Sequence, residues 1–426
     1  MKFLHISTGD NRGAFSGAYR LHRNLIDCGH ESFMFVGNKT VDDPTIITPA
    51  KIFQNIRFIL EKLFSQIAKR IFSHDIQTSR IFKANLGFVP TFDVVRKIRK
   101  IKPDLIIVYY VADFLSEKQL YRIQQITKVP VIYYLMDMGM LTGACHYAWD
   151  CTGYKSGCID CPMTDSSIIK KIISSKWKSR KDYYDKIKPI IVSGSAQLSQ
   201  QVEISGLTNL LDSKKIFMGV NPEIHSPVNR VAARRDFGFL DGDIVLYFGA
   251  QNIDDKRKGF SYLVEALGLL VSILSPGEIA KIRLFTIGQG NPIKQCNFPF
   301  RHVHLPFISD QSKFSRTYSA ADVFICPSVE DSGPMMVNES MMSGTPVIAF
   351  DVGVAKDLVI NGETGFSVPT ANSKELANAL STFVKMNWDE RLTMSKHCRN
   401  LAMKTCAMGT QVESFVKLAD QLCIKR

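Results

Sequence analysis

The chain has 426 residues, with 53 Lys and Arg against 40 Asp and Glu, and a net charge of +13. This length exceeds what one typical core needs and predicts two domains. No apolar run reaches the roughly 18 residues of a membrane-spanning helix, and the amino terminus lacks the long apolar core of a signal peptide. We therefore expect a cytosolic globular protein.

The first half of the chain alternates short apolar runs with helical stretches. The predicted strands are 2–7, 31–37, 105–111, 130–135 and 188–195, with a helix at about 17–28. The third and fourth strands are continuous runs of β-branched and aromatic residues, which are typical of strands buried on both faces of a parallel sheet. Strands that alternate with helices predict a doubly wound α/β domain.

The segment 51–72 interleaves Phe, Ile and Leu with Lys and Arg at helical spacing. Its surroundings are basic, since residues 51–100 hold eleven Lys and Arg against three Asp and Glu. One interpretation is an amphipathic helix whose apolar side faces the core. The other is a helix lying on an anionic membrane, where apolar burial and basic charge act together. No nucleic-acid-binding motif accompanies the charge, so we expect no nucleic-acid partner.

The second half repeats the first after a linker rich in Asn, Pro and Ser at 215–230. Its predicted strands are 243–250, 281–290, 302–307, 321–328, 346–351 and 364–368. We therefore predict two Rossmann-like domains, 1–210 and 211–407, that face each other across a cleft, with a last helix at about 408–426 packing back on the first. Ligands of such sheets bind at the carboxyl ends of the strands.

The string EDSGPMMVNESMMSGTP, residues 330–346, follows one of these strands. Ser332 is a candidate helix cap and Pro334 suits a first turn, while Gly344 ends the helix. The helix is nearly apolar all round except for Glu339, and a buried carboxylate needs hydrogen-bond donors. One interpretation is a core glutamate satisfied by the protein. The other is a cleft carboxylate that binds a polyol such as ribose, with Asp331 reaching another part of the same ligand.

A basic loop, Asp-Asp-Lys-Arg-Lys-Gly, follows the first strand of the second half. Its cations Lys256, Arg257 and Lys258 sit at a strand's carboxyl end, which suits a diphosphate that needs charge neutralisation. A solvated surface cluster is the alternative.

Asp331, Glu339 and the following SGTPVIAFDVGVAKDLVINGETGFSV resemble the signature of the retaining glycosyltransferases of family 4, the group 1 family, which reads Glu, seven residues, Glu. The resemblance implies the GT-B fold and a nucleotide-diphosphate sugar donor. It implies that Glu339 binds the ribose and that Asp331, one methylene shorter than the family acid, holds the donor sugar with the backbone that follows it. The donor-binding backbone implied here is that of Ser332, Gly333 and Pro334, and of Phe307 and Ile308 for the base. Lys258 matches the family lysine, with Arg257 beside it.

The amino-terminal stretch DNRGAFSGAYRLH also resembles the family. Gly13 is implied to let backbone approach the phosphates, and Arg12 stands where the family has another glycine. The stretch around MDMGMLTGACHYAWDCTGYKSGCIDCP resembles a capsule and exopolysaccharide subgroup. Asp137 matches its aspartate, whereas Met136 occupies the position of its histidine, and His146 lies nearby.

Four cysteines follow in this stretch, Cys145, Cys151, Cys158 and Cys161. Their spacing, which ends in C-x-x-C, suits a tetrahedral structural Zn²⁺, and reduced thiols packed in a loop are the alternative.

We expect a retaining hexosyltransferase that needs no metal or other cofactor for catalysis. Lys258, Asp331 and Glu339 are its expected catalytic residues, and a glycan or lipid-linked saccharide in surface polysaccharide biosynthesis is its expected acceptor. It would lie in the cytoplasm, peripherally at the inner face of the membrane. Two alternatives stay open: an epimerase or phosphorylase of the same fold, and a non-catalytic subunit that binds sugar nucleotides.

Overall fold

The computed structural model describes residues 1–10, 14–56, 58–60, 62, 89–111, 114–290 and 299–424. They form two compact units. The first domain contains Met1–Gly194, Leu198–Ile216 and the chain from Gln411 onward. The second contains Ser195–Gln197 and Phe217–Thr410. No helix in the described ranges is long and apolar enough to cross a bilayer.

The first domain is built on a seven-stranded sheet in which every neighbouring pair is parallel, with the order β3-β2-β1-β4-β5-β6-β7. The strands are β1 Lys2–Gly9, β2 Glu31–Asn38, β3 Ile46–Ile47, β4 Leu105–Val108, β5 Val131–Leu135, β6 Ile190–Ser193 and β7 Ser213–Lys215. The helices in this part of the chain are α1 Ala14–Asp27, α2 Thr91–Ile101, α3 Glu117–Thr127, α4 Ser167–Ile187 and α5 Ala196–Ile204. Residues 51–56 and 58–60 are also helical.

The second domain carries a six-stranded parallel sheet with the order β10-β9-β8-β11-β12-β13. Its strands are β8 Ile244–Asn252, β9 Ile282–Gln289, β10 Arg301–Leu305, β11 Val323–Cys326, β12 Val347–Phe350 and β13 Gly365–Val368. Its helices are α6 Arg230–Phe237, α7 Phe260–Ile273, α8 Pro276–Ile279, α9 Gln311–Ala320, α10 Met335–Met342, α11 Ala355–Leu358, α12 Ser373–Lys385 and α13 Trp388–Thr405. A last helix, α14, covers Met408–Ile424.

Strand β8 shows why the apolar runs are continuous. Leu246 and Phe248 enter one hydrophobic cluster, whereas Val245 and Tyr247 enter another. Because successive side chains of a strand point to opposite faces, both faces of the sheet are buried under helices. The predicted fold of two Rossmann-like domains is therefore confirmed.

Helix α14 belongs mostly to the first domain. Gln411 donates from Nε2 to the hydroxyl of Tyr134 at 3.0 Å, and the ring of Phe415 lies 5.1 Å from that of Tyr134. The end of the chain is thus fixed against β5.

A buried polar network in the first domain links α1 to β2 and to the loop before β3. His22 is fully buried, with Nδ1 2.8 Å from Oγ of Ser32 and Nε2 2.8 Å from Oγ1 of Thr45. Burial lowers the pKa of His22 from 6.5 to about 4, against an opposing attraction from Asp43. The folded protein therefore keeps this imidazole neutral where an unfolded chain protonates it.

We predict that acid destabilises the protein through His22. Between pH 6.5 and pH 4 the unfolded chain binds a proton that the folded one does not, so stability is lost as the pH falls, by about 3 kcal/mol from this group. The free energy of unfolding of the wild type, measured in urea, should therefore fall more steeply with decreasing pH over this range than that of His22→Gln. The exposed His397→Gln should keep the wild-type slope. Equal slopes for the wild type and His22→Gln would contradict the prediction.

Candidate functional site

The loop between β11 and α10 carries the two acids singled out in the sequence. Helix α10 begins at Met335 with Pro334 as its cap residue and no side-chain cap bond, so the predicted capping by Ser332 is wrong. The proline ring already fixes the backbone at this point. Gly344 has φ of 74° and follows the end of the helix, as predicted.

Asp331 is buried, at 6% exposure, and forms an ion pair with Lys258. The ammonium Nζ lies 2.5 Å from Oδ2 of Asp331, and the backbone N–H of Gly333 donates to Oδ1 at 3.2 Å. Burial is the largest single influence on this carboxyl and opposes its ionisation. The charge and hydrogen bond of Lys258, the Arg257 charge and the Gly333 N–H together outweigh burial and hold the pKa of Asp331 below its usual value. The pKa of Lys258 is raised in turn, since the charge and hydrogen bond of Asp331, with a smaller effect of Cys326, together outweigh burial. Both groups therefore stay charged.

The basic loop is fixed against the β11 loop by a close backbone contact. Gly259 has φ of 69°, and a Cβ on it would lie 1.7 Å from the carbonyl oxygen of Pro327, so only glycine fits. The N–H of Val329 donates to the carbonyl of Arg257 at 2.9 Å. The Arg257 guanidinium lies 2.7 Å from Asp255, and Lys256 is exposed. Of the three predicted diphosphate cations, Lys258 lies nearest to Asp331, and an Arg257 guanidinium nitrogen lies 4.0 Å from the same carboxylate oxygen.

Glu339 is buried, at 2% exposure, on α10. The hydroxyl of Tyr318, on α9, donates to Oε2 of Glu339 at 3.0 Å. The protein therefore supplies one of the hydrogen bonds that a buried carboxylate needs. The ribose contact of Glu339 stays a prediction.

Two glycines missed by sequence reasoning shape this site. Gly353, after β12, has φ of 59°, and a Cβ there would lie 2.8 Å from the carbonyl oxygen of Asp331. A Cβ on Gly249, in β8, would lie 2.4 Å from Cε of Met336. Gly249 lies near the end of an apolar strand run and Gly353 follows one. A glycine at such a place was the sequence signal that could have found them.

The other predicted donor residues are placed as follows. Strand β10 ends at Leu305, two residues earlier than predicted, so Phe307 and Ile308 lie in a loop. Phe307 is 54% exposed, whereas Ile308 packs on the core. Gly13 and Arg12 lie outside the described residues.

In the first domain, Asp137 follows the carboxyl end of β5. Its Oδ1 accepts from the N–H of Gly139 at 2.7 Å, and its Oδ2 lies 2.7 Å from Nδ1 of His146. Met136, beside it, is half-buried.

The four cysteines of the loop between β5 and α4 lie near one another as free thiols. Cys145 lies within interaction range of Cys161, Cys158 and Cys151. Backbone N–H groups donate to sulfur as well, from Gly143 to Cys158 and from Gly153 to Cys151, each at 3.4 Å. Among the residues with described positions, no three Cys, His, Asp or Glu side chains already surround a common metal position.

Comparison with known proteins identifies the second domain. Residues 242–386 match the family model "Glycosyl transferases group 1". A phosphatidyl-myo-inositol mannosyltransferase of Mycobacterium leprae is 28% identical over 179 residues, 41% of this chain and 45% of that protein. A D-inositol 3-phosphate glycosyltransferase of Stackebrandtia nassauensis is 28% identical over 177 residues, 39% of each chain. The chain thus matches less than half the length of these two relatives.

Solved structures match over almost the whole chain. Anabaena HepE in complex with UDP and glucose gives a TM-score of 0.66 at 15% identity, covering 99% of this chain and 100% of that one. WaaG, a glycosyltransferase involved in lipopolysaccharide biosynthesis, gives 0.64 at 14% identity and 98% coverage of both. These likenesses confirm the predicted GT-B fold. The match to the group 1 glycosyltransferase family itself covers residues 242–386 of the second domain.

Proposed function

We propose that the protein is a retaining glycosyltransferase that moves a sugar from a nucleotide-diphosphate sugar to a glycan or lipid-linked saccharide. The observation that carries the proposal is the buried Asp331–Lys258 pair at the carboxyl end of β11, on the residues that match the family signature. The solved complexes of HepE with UDP and with UDP-glucose support a nucleotide-sugar donor.

In this proposal Lys258 stabilises the charge that grows on the donor diphosphate. The bond between the anomeric carbon and the β-phosphate oxygen breaks, and the acceptor oxygen bonds to that carbon on the same face. The acceptor proton passes to the departing phosphate, so the products are the glycoside and a nucleoside diphosphate. A cation already fixed by Asp331 needs no reorganisation as this charge develops. Lys258 and backbone N–H groups would then do what a divalent metal does in other transferases.

Glu339 is oriented for a polyol contact in the same scheme. The hydrogen bond from Tyr318 fixes one carboxylate oxygen. A carboxylate held in this way can accept from ribose hydroxyls without losing side-chain entropy on binding. The alternative, a glutamate that serves only the core, makes a different prediction for the Gln variant.

Turnover with a donor panel tests the proposed activity. We expect at least one of UDP-glucose, UDP-galactose, UDP-N-acetylglucosamine and GDP-mannose to release its nucleoside diphosphate when a glycan acceptor panel is added, and to do so in EDTA. NMR of the product should show the anomeric configuration of the donor. Binding without any release would favour the non-catalytic subunit, and a sugar-nucleotide isomer as the product would favour the epimerase. Either result would contradict the proposal.

Replacing Glu339 by Gln should weaken donor binding about tenfold or more, because hydrogen bonds to a charged group are lost while Tyr318 keeps an acceptor. Calorimetric titration with the nucleoside diphosphate measures this, and Glu203→Ala, an exposed glutamate on α5, is the matched control. The Glu339→Ala variant should also lose about 1–3 kcal/mol of stability, because the buried Tyr318 hydroxyl loses its acceptor. Wild-type affinity in Glu339→Gln would remove the ribose role.

We also propose that the segment 51–72 binds an anionic membrane at the inner face. Within its described part, Ile52, Phe58 and Ile59 are each more than 60% exposed, a pattern that the core-facing interpretation does not predict. Lys51 and Lys62 are exposed on the same segment. Apolar side chains beside basic ones suit the boundary between lipid headgroups and acyl chains. Residues 63–72 lie outside the described part.

Flotation with phosphatidylglycerol vesicles should bring the wild type into the lipid fraction. Neutralising Lys51 and Lys62 to Gln should weaken binding several-fold for each charge, at about 1 kcal/mol per residue. The double variant Ile52→Ser, Phe58→Ser should weaken it further, whereas Leu240→Ser, equally exposed in the second domain, should not. Binding that is unchanged in the segment variants would exclude this surface.

We propose a structural zinc held by Cys145, Cys151, Cys158 and Cys161. Four cysteines within one loop, whose sequence spacing ends in C-x-x-C, are the ligand set of a tetrahedral structural zinc, and Cys145 interacts with the three others. Backbone N–H donors to Cys151 and Cys158 are the outer contacts that stabilise thiolate ligands. Rotation of the side chains would complete the ligand set.

Elemental analysis of protein purified without chelator should find about one zinc per chain. The Cys151→Ser, Cys161→Ser double variant should lose it and melt at a lower temperature, whereas Cys28→Ser, an exposed cysteine outside the cluster, should keep it. A zinc-free wild type with four titratable thiols in the cluster would leave the packed-thiol alternative.

A further inference from the structure

Asp137 and His146 form a hydrogen-bonded pair at the carboxyl end of β5. Both carboxylate oxygens of Asp137 already have protein donors, the Gly139 N–H and the His146 ring, each at 2.7 Å. The His146 side chain is 39% exposed, against 15% for Asp137. Asp137 therefore holds the imidazole, which is the more exposed of the two groups.

The backbone around the pair permits this contact. A Cβ on Gly139 would lie 2.8 Å from Oδ1 of Asp137 and 3.4 Å from Nδ1 of His146, so a larger residue would displace both groups. The N–H of Met138 donates to the carbonyl of His146 at 2.9 Å, which brings the two ends of the loop together. The ring of Tyr110, just after β4, lies 4.8 Å from the imidazole. The imidazole thus has a defined orientation at the edge of the sheet where ligands of such folds bind.

A buried ion pair between Arg180 and Glu117 contacts the backbone of the same loop. Arg180, on α4, donates from Nη1 to the carbonyls of Gly139 and Thr142, both at 2.6 Å, and from Nε to Glu117 at 2.7 Å. The Arg180 and Glu117 side chains are 7% and 11% exposed. Taking two charges out of water costs several kcal/mol per ion, so such pairs are weak sources of stability. Here the charges fix the position of the loop that carries Asp137 and His146.

We propose that His146 is a substrate-contacting residue that hydrogen-bonds a sugar hydroxyl, and that Asp137 is its positioning residue. The inference rests on the proposed transferase function. A carboxylate at Nδ1 fixes the ring tautomer that carries a proton there, and Nε2 then accepts from a hydroxyl. The hydroxyl belongs to the donor sugar or to the acceptor, and the two sources separate in the kinetics.

The test compares His146→Ala, His146→Gln and His146→Asn with the wild type, using the donor and acceptor that the turnover panel identifies. We expect kcat/KM to fall 10- to 100-fold in the Ala variant. Gln should keep more activity than Asn, because its amide reaches the position of Nε2 and that of Asn reaches only Nδ1. A rise confined to the donor KM or to the acceptor KM identifies whose hydroxyl is bound.

The split between KM and kcat separates a contact from a structural role. His146→Ala should raise the KM of one substrate at least tenfold, His146→Gln should recover part of that loss, and Asp137→Asn should raise the same KM by a smaller factor, while His397→Gln keeps the wild-type constants. All variants should melt within a few degrees of the wild type. A wild type that turns over, with His146→Ala within twofold of it in the KM of both substrates, would overturn this inference alone. A wild type that turns over no donor would overturn the proposed function and this inference with it.

Discussion

The ion pair between Lys258 and the buried Asp331 is the interaction on which the second-domain site depends. The Asp331 charge would not be stable alone at its low exposure, since an unpaired buried ion either neutralises or draws in water. The pair joins the loop after β8 to the loop after β11, and the close contact at Gly259 holds the two together. Gly353 brings the turn after β12 against the same loop. Three strand ends thus meet around the ion pair of Lys258 and Asp331.

Each acid of the candidate sites has a hydrogen-bond or ion-pair partner within the protein. Asp331 has Lys258, Glu339 has Tyr318, and in the first domain Asp137 has His146 and Gly139. Binding of a nucleotide-diphosphate sugar is therefore an exchange or sharing of partners, and its net free energy is smaller than the contacts alone suggest. In return, the charged groups need little reorganisation when charge develops during the reaction, which is the larger advantage for catalysis.

Much of this could be predicted from the sequence. Continuous β-branched runs separated by helices predicted both parallel sheets, and the family resemblance around Asp331 and Glu339 indicated the candidate site. What could not be predicted were contacts between residues distant in the chain. The hydrogen bond from Tyr318 to Glu339 joins two helices, and that from Arg180 to the Gly139 carbonyl joins a helix to the Asp137 loop. No local sequence pattern predicts either contact. The Ser332 cap failed because Pro334, two residues later, already sets the start of α10. The pairing of His146 with Asp137 depends on the backbone conformation of the loop between them, which the sequence does not predict.

A double-mutant cycle on Lys258 and Asp331 tests the central claim most directly. Unfolding free energies would be measured for Lys258→Met, Asp331→Asn and the double variant, with nucleoside diphosphate affinity measured on the same proteins. We predict that the two losses of stability are strongly non-additive, with a coupling of at least about 1 kcal/mol. We also expect affinity to fall in both proteins that lack Lys258. Additive stabilities, or wild-type affinity in Lys258→Met, would contradict this claim.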